Sequence, residues 1–287
     1  MMLFSIVTVT YNAEHEIEET IQSVINQSFR NFEYIIQDGC SKDKTISIAA
    51  KYKIDFQNKG INFKIVQKKD TGIYNAMNNS VSHADGKYIL FLNAGDRFCH
   101  KDVLLKVYNS IKSMDFDIVY GDTILSRNGM FKYEEARTID SLAEGIPFGH
   151  QSVFTRKSLY YERQYDEHYK ICADYEFYAY YIKNNAKCLK LDIPISVYQL
   201  GGMSSSGGLK NFYEEKLSIA LKYNLMSKSD YLIKLEKAKK NSRRLCLTEF
   251  IKKYVPQFII KNRQKRILIK EGWIDNYESI ANNHGFA

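Results

Sequence analysis

Strand-like and helix-like segments alternate along the first 120 residues. Apolar and β-branched runs of four to six residues predict strands at Phe4–Val9, Glu33–Gln37, Phe63–Gln67, Tyr88–Leu92 and Phe116–Tyr120. Apolar positions at helical spacing predict helices at about Glu14–Asn26, Ser41–Tyr52, Ile73–Val81 and Lys101–Lys112. Strands alternating with helices at this spacing indicate an α/β protein, with a doubly wound, mostly parallel, Rossmann-like sheet.

The regular alternation ends near residue 120. Short strand-like segments at Met130–Tyr133, Ser152–Thr155, Lys187–Leu191 and Ile195–Tyr198 surround one clear helix, Asp174–Lys183. We expect residues 1–120 to form one half of a domain and residues 121–200 to form a mixed second half. A Gly/Ser-rich loop at residues 201–210 and a basic helical region at residues 211–287 follow.

Polar residues cluster where the predicted strands end. Thr10-Tyr11-Asn12 follows the first strand, Asp38-Gly39 the second, and Asn93-Ala94-Gly95-Asp96 the fourth. Ligands of open parallel sheets bind at the carboxyl ends of the strands. These three clusters therefore predict a ligand site on one rim of the sheet.

Composition indicates an ordered globular protein. Hydrophobic residues make up 45% of the 287 residues, and there are three prolines. Five cysteines without a C-x-x-C pair indicate a reduced, cytoplasmic setting and argue against a structural zinc site. No apolar run approaches the ~20 residues that cross a bilayer, and the start lacks the features of a secretion signal.

Positive charge is concentrated in one segment. Residues 228–270 contain 14 Lys and Arg against 3 acidic residues, whereas the whole chain has a net charge of +8. The rest of the chain is therefore slightly acidic. The apolar and basic residues of this segment interleave, which is typical of a helix packed on the core or of one lying on an anionic membrane surface. Nucleic acid is not an expected partner, because no recognition fold accompanies the basic residues.

Three side chains allow more than one interpretation. Asp38 is either a turn and helix-capping acid or an acceptor for a nucleobase or ribose. His150 is either structural or a contact for a diphosphate, a metal or an acceptor. Asp174 is either the N-cap of the predicted helix or a general base that deprotonates an attacking hydroxyl.

Six dispersed motifs together resemble the family 2 glycosyltransferases with the GT-A fold, over roughly residues 3–200. They are Thr8-Val9-Thr10-Tyr11-Asn12, Asp38-Gly39-Cys40-Ser41-Lys42-Asp43-Lys44-Thr45, Gly72-Ile73-Tyr74-Asn75-Ala76-Met77-Asn78, Phe91-Leu92-Asn93-Ala94-Gly95-Asp96, His150-Gln151 and Ala173-Asp174-Tyr175-Glu176. The chain is most similar to bacterial enzymes of O-antigen, capsule and colanic-acid-type polysaccharide synthesis.

The resemblance implies a role for each matching position. The expected nucleotide-binding residues are Val9, Tyr11, Asp38, Asp70, Asn78 and Asn93. Asp96 would bind Mg²⁺ or Mn²⁺, and Asp174 would be the catalytic base. The metal motif of the family usually opens with Asp and has a second Asp before its last acid. Asn93 and Gly95 occupy those positions here, so one carboxylate remains, and the diphosphate would supply most metal ligands.

The implied reaction is an inverting sugar transfer from a nucleotide sugar to a hydroxyl group. An Asp38 that accepts an imide N–H favours UDP-sugars, then dTDP- or GDP-sugars. The expected acceptor is a glycan, including one linked to polyprenyl pyrophosphate. The enzyme is therefore expected in the cytoplasm, either free or at the inner face of the membrane. Two alternatives stay open: a catalytically weak or silent binding subunit, and a sugar-1-phosphate nucleotidyltransferase, which would need a Gly-rich basic loop after the first strand.

Overall fold

A computed structural model describes residues 2–201, 209–237, 268–269 and 271–286. Within these residues the strands are β1 (Phe4–Thr10), β2 (Phe32–Asp38), β3 (Asn62–Gln67), β4 (Tyr88–Phe91), β5 (Arg97–Phe98), β6 (Ile118–Arg127), β7 (Met130–Glu134), β8 (Val153–Arg156) and β9 (Cys188–Gln199). The helices are α1 (Ile17–Ile25), α2 (Thr45–Lys51), α3 (Lys53–Asn58), α4 (Ile73–Val81), α5 (Val103–Ile111), α6 (Lys157–Glu162), α7 (Ala173–Lys183), α8 (Leu209–Lys222) and α9 (Tyr277–Ala281).

The described strands form one nine-stranded sheet, in the order β3-β2-β1-β4-β8-β6-β9-β5, with β7 paired to β6. Strands β3, β2, β1 and β4 pair in parallel. Every residue of β1 and β2 is buried, because helices cover both faces of the sheet. The predicted α/β fold with a doubly wound, mostly parallel first half is confirmed.

The later strands do not follow one another in the sheet in chain order. The predicted fifth strand is the start of β6, but it does not pair with β4. Strand β8 lies between them and is antiparallel to both. The predicted segments Lys187–Leu191 and Ile195–Tyr198 are one strand, β9, which pairs with β6 through a register shift near Asp122. Asp192 and Pro194 interrupt the apolar run where the pairing is irregular, so the sequence favours two short strands.

Two apolar layers sandwich the sheet. One layer packs α1 and α5 against β1, β2 and β4, and residues of α9 complete it. The other layer packs α4, α6 and α7 on the opposite face. The predicted division near residue 120 runs through β6, so a continuous sheet joins the two predicted halves.

The predicted region 211–287 has no single role. Helix α8 packs on α7 through Ile219, Tyr175 and Ala179. Residues 228–237 are helical, which agrees with the predicted helical region, whereas residues 238–267 lie outside the described residues. The Gly/Ser loop at 202–208 also lies outside them.

Residues 273–286 pack on the sheet. The N–H of Phe131 in β7 donates to the carbonyl of Ile274, and the Ile274 N–H donates back. Ile280, Ala281 and Phe286 are buried in the main core. These residues therefore belong to the core, whereas the packing of the basic segment 228–270, most of which lies outside the described residues, stays a prediction.

The burial of α9 predicts a measurable loss of stability in Ile280→Ala. Removing three buried carbons should lower the free energy of unfolding by about 2 kcal/mol or more, because the core keeps part of the cavity. Ile269→Ala is the matched control, since Ile269 is 55% exposed. Thermal and urea unfolding of both variants measure the difference. Equal stability of the two variants would contradict the packing of α9.

Candidate active site

The polar clusters predicted at the strand ends meet on one rim of the sheet. Thr10 at the end of β1 is in register with Asp38 at the end of β2, and Val7 of β1 is in register with Phe91 of β4. Neighbouring strands lie about 4.8 Å apart. The segments that begin at Tyr11, Gly39 and Leu92 therefore leave the sheet side by side.

Tyr11 and Asp70 flank Gly39. The Tyr11 ring is 59% exposed, which is unusual for an aromatic side chain next to a buried strand. A Cβ on Gly39 would lie 2.6 Å from Asp70 Oδ2 and 3.2 Å from Tyr11 Cδ2, so a larger residue would displace both side chains. Burial and the charge of Asp38 raise the pKa of the Asp70 carboxyl. The exposed ring is suited to stack on a nucleobase, and the two carboxyl groups beside it are suited to accept the N–H groups of that nucleobase.

Asp38 is fully buried and caps its own turn. Its carboxylate accepts the backbone N–H and the hydroxyl of Ser41, at 2.9 and 2.5 Å, and the Gln67 side-chain amide at 3.3 Å. The turn interpretation of Asp38 is confirmed. Its contact with a nucleobase stays a prediction.

The loops after β1 and β2 are bonded to each other. The Asn12 amide oxygen accepts the Lys42 N–H at 2.8 Å, and the Asn12 N–H donates to Ser41 Oγ at 2.8 Å. The Ala13 N–H donates to Thr45 Oγ1 at 2.8 Å. These bonds hold the backbone of Tyr11 next to the Asp38 turn, so the position of the aromatic ring on the rim is fixed.

Val9 and Asn78 contribute less directly to the rim. Val9 is a core side chain whose carbonyl accepts the Ala94 N–H at 3.4 Å. Asn78 is 8% exposed, and its amide bonds to the backbone N–H and carbonyl of Tyr165, both at 3.0 Å. Asn78 therefore fastens the segment around Tyr165 to α4, and its predicted contact with a nucleotide stays a prediction.

Asn93 and Asp96 form a tight turn that α1 holds in place. Gly95 has φ of +96°, a conformation that glycine adopts without strain. Thr20 of α1 accepts the Gly95 N–H at 3.0 Å and donates to the Asp96 carbonyl at 2.7 Å. The Asp96 side chain is buried, and its Oδ1 accepts the Gln199 N–H at 3.0 Å.

The oxygen atoms of this turn suit a hard divalent cation. Burial raises the pKa of the Asp96 carboxyl to about 8, and a nearby positive charge would favour its ionised form. The Asn93 amide oxygen is buried without a hydrogen-bond partner among the described residues. The described part of the chain contains no group of three His, Cys, Asp or Glu side chains arranged to hold a metal. The two side chains fit a cation that also takes ligands from its substrate.

Asp174 lies in the first turn of α7, above the second half of the sheet. The residue preceding the helix is Cys172, so Asp174 is not the N-cap. Its Oδ1 accepts the Tyr175 N–H at 2.8 Å and lies 3.2 Å from the Tyr74 hydroxyl. The side chain is 17% exposed, which leaves it accessible to a ligand.

His150 lies next to Asp174. Its Nδ1 is 3.7 Å from Asp174 Oδ2, too long for a hydrogen bond, and neither ring nitrogen has a hydrogen-bond partner among the described residues. The ring stacks on Phe91 of β4, with centroids 5.9 Å apart. Burial lowers the pKa of His150, and the charge of Asp174 partly opposes this shift. The His150 ring therefore lies between the end of β4 and Asp174.

Two further residues that the sequence did not single out hold α7 in place. Glu215 of α8 accepts the backbone N–H groups of Lys170, Ile171 and Cys172, each at 2.9 Å. Tyr74 donates to the Ile171 carbonyl at 2.6 Å. Glu215 therefore satisfies the N–H groups that lead into α7, where a carboxylate is also favoured by the helix dipole.

A buried acid makes a second connection between α7 and α8. Glu176 is fully buried, and its Oε1 accepts hydrogen bonds from Arg163, Lys222 and Tyr223 at 2.5 to 2.7 Å. Breaking a buried ion pair of this kind is costly, because it leaves an uncompensated charge. The position of Asp174 thus depends on α8.

The chain is similar to proteins of one family. A family model described as "Glycosyl transferase family 2" matches residues 5–189. A PGL/p-HBAD biosynthesis glycosyltransferase of Mycobacterium bovis is 31% identical over 219 residues, which is 75% of this chain and 81% of that protein. The putative glycosyltransferase EpsE of Bacillus subtilis is 28% identical over 168 residues, 54% of this chain and 57% of that protein.

Solved structures share the fold. The S. aureus TarS fragment 1–349 in complex with UDP-GlcNAc has a TM-score of 0.63 at 24% identity, covering 83% of this chain and 71% of that chain. The mannosyltransferase PcManGT of Pyrobaculum calidifontis, in complex with GDP-Man and Mn²⁺, has a TM-score of 0.61 at 14% identity, covering 93% and 84%.

These matches exceed half of the chain and agree with the motifs at the strand ends. They confirm the GT-A fold, and they favour glycosyl transfer over both nucleotidyl transfer and a silent binding role. This chain belongs to glycosyl transferase family 2 and is a glycosyltransferase with the GT-A fold.

Proposed function

We propose that this protein transfers a sugar, with inversion, from a nucleotide sugar to a hydroxyl group of a glycan acceptor in bacterial surface polysaccharide synthesis. The observation that carries the proposal is the position of Asp174, a partly exposed carboxylate held at the start of α7 beside His150 and Tyr74. The names of the relatives support the polysaccharide context. The acceptor is proposed to be lipid-linked.

The rim supplies the donor site. Tyr11 would stack on the base, with Asp38 and Asp70 accepting its N–H groups and ribose hydroxyls, and Val9, Asn78 and Asn93 close by. UDP is the favoured nucleotide, since uracil presents an imide N–H that a carboxylate can accept. Complexes of TarS with UDP and UDP-GlcNAc support this choice.

Asp96 and the Asn93 amide oxygen would hold Mg²⁺ or Mn²⁺. Such a cation, when bound, neutralises charge on the leaving diphosphate. Asp174 accepts the proton of the attacking hydroxyl, and the Tyr74 hydroxyl and the Tyr175 N–H hold its carboxylate. A single base without a nucleophilic carboxylate gives one displacement, and therefore inversion.

Asp174→Asn tests the base. The amide keeps the size of the side chain and loses the ability to accept a proton, so kcat should fall by about 10²-fold or more. UDP affinity, measured by calorimetry, should be unchanged because the rim is intact. Sugar transfer and donor hydrolysis are measured with a panel of nucleotide sugars. Turnover like that of the parent protein would exclude Asp174 as the base.

Metal and nucleotide are expected to bind with positive coupling. The protein offers few metal ligands of its own, so the diphosphate should complete the set and raise Mn²⁺ affinity. Calorimetric titration of Mn²⁺ with and without UDP measures the coupling, and uridine, which lacks phosphates, is the control. Equal Mn²⁺ affinity with UDP and with uridine, or full activity in EDTA, would argue against a metal at Asp96. The same titration with dTDP, GDP or CDP in place of UDP ranks the nucleobases by the affinity of their diphosphates.

Glu215 is expected to position the catalytic segment. Glu215→Ala leaves three backbone N–H groups without their acceptor, and a shift of Asp174 by about 1 Å can cost up to about 10²-fold in rate. We expect kcat to fall by about ten-fold or more with UDP affinity kept. Glu215→Gln, which retains an amide oxygen, should recover part of the rate. Glu236→Ala, on an exposed helix, is the control. Full activity of Glu215→Ala would exclude a role of Glu215 in positioning Asp174.

The membrane surface is the proposed location of the enzyme. Among the described residues no helix is long and apolar enough to cross a bilayer. Helical residues 228–237 expose Leu232 and Ile233 beside Lys234 and Lys237, a combination that favours an anionic surface. The basic residues that follow in the sequence would add to this attraction, at about 1 kcal/mol for each residue near the surface.

The membrane contact is tested by removing positive charges. Deleting the basic segment and all that follows would also remove residues 273–286, which belong to the core. Changing Lys239, Lys240, Arg243 and Arg244 to Gln should weaken binding to phosphatidylglycerol vesicles at low salt by ten-fold or more. Donor hydrolysis should be unchanged. Vesicles of phosphatidylcholine alone are the control surface. Unchanged binding of the variant, or a parent protein that ignores both vesicles, would exclude membrane docking by this segment.

A further inference from the structure

A cavity of about 300 Å³ lies outside the predicted donor and catalytic residues. It lies between α8, the 3₁₀ helix Ile139–Glu144 and the helical residues 228–237, and it is open to solvent on one side. Its floor includes the apolar side chains of Leu217, Ala220 and Met226, and three lysines line it: Lys216, Lys234 and Lys237. Ligand sites combine such a floor with a few polar groups, and this volume is at the small end of their range.

Lys216 is the innermost cation of this cavity. A Cβ on Gly145 would lie 2.9 Å from Lys216 Nζ, so glycine provides the space that the ammonium group occupies. Burial lowers the pKa of Lys216, and the positive charges of Arg137 and Lys234 lower it further, whereas Cys172 and Glu144 partly oppose this shift. A half-buried cation near two other cations is unfavourable unless an anion joins them.

Among the described residues, the acid that lines the cavity is already paired with another cation. Glu144 lines the cavity, but it pairs with Arg137 at 2.9 Å. None of the three lysines forms an ion pair within the described ranges. The sequence outside those ranges contains a single acidic side chain, Glu249, among many basic ones. The excess of positive charge is therefore a property of the sequence as well as of the cavity.

The cavity is connected to the catalytic segment. Lys216 follows Glu215, whose carboxylate holds residues 170–172 ahead of α7. The Leu142 carbonyl, next to the cavity wall, accepts the hydroxyl of Tyr175 at 2.7 Å, and Tyr175 follows Asp174. An anion in the cavity would thus lie against the elements that position Asp174, on the acceptor side.

We propose that Lys216, Lys234 and Lys237 form a binding site for a phosphate or diphosphate ester whose apolar part rests on Leu217, Ala220 and Met226. Its assignment to the phosphate of a lipid-linked acceptor rests on the proposed function. The site binds the anion and performs no chemistry on it.

Binding of farnesyl diphosphate to the full chain tests the site. Excess UDP is present at low salt, so that the donor site is filled. The variant Lys216→Gln/Lys234→Gln should bind farnesyl diphosphate about ten-fold or more weakly, because each charged contact contributes more than a factor of ten. The control is Lys51→Gln/Lys112→Gln, which removes the same charge from α2 and from the end of α5. UDP affinity should be equal in all three proteins.

Two further probes identify the source of the anion. Pyrophosphate that binds as tightly as farnesyl diphosphate indicates a site for any phosphate anion, whereas weaker pyrophosphate binding indicates a lipid-linked one. Farnesol that binds as tightly as farnesyl diphosphate would overturn the proposal. Equal affinities of the parent and the variant for farnesyl diphosphate would also overturn it, and so would a parent protein that binds neither farnesyl diphosphate nor pyrophosphate. Lys234 is exposed, so the single variant Lys234→Gln should fold normally. Its affinity for farnesyl diphosphate repeats the comparison with the parent protein. Donor hydrolysis by the same proteins reports separately on sugar transfer.

Discussion

Parallel pairing of β1 with β2 and β4 is the constraint on which the site depends. Backbone hydrogen bonds fix Thr10 beside Asp38 and Val7 beside Phe91, so three chain segments leave the sheet at one edge. Each segment then forms a turn. Hydrogen bonds join the turns after β1 and β2 to each other, and a hydrogen bond joins the turn after β4 to α1. A shift of one strand by one residue would turn its buried side chains to the other face and separate the clusters.

Much of the first half of the fold could be predicted from the sequence, because its strands are short, fully buried and separated by helices. The second half could not be ordered in the same way. The insertion of β8 between β4 and β6 depends on pairing between segments more than 60 residues apart, which no local pattern records. Likewise, Asp192 and Pro194 break the apolar run of β9 beside its irregular pairing with β6, so the sequence favours two strands.

The candidate site shows the same division. Tyr11, Asp38, Asn93 and Asp96 follow strand ends, so their convergence could be predicted. Asp174 was identified through the family motif, but the contacts that hold it were missed. Tyr74 lies in a quoted motif without a clear chemical signal, and Glu215 is one of several acids on an ordinary amphipathic helix. Its three backbone partners lie more than 40 residues away in the chain, so only the folded structure shows them.

The packing of residues 280–286 on the first core layer has a consequence for the order of folding. Lys106 of α5 contacts the carbonyl of Gly285, a separation of 179 residues. During synthesis, the apolar surface beside α5 and β5 is therefore made long before the residues that cover it. Contacts of such high sequence separation slow folding, and the uncovered surface favours association with chaperones or with other nascent chains. The core layer beside α5 can therefore be completed only after residues 280–286 have been made.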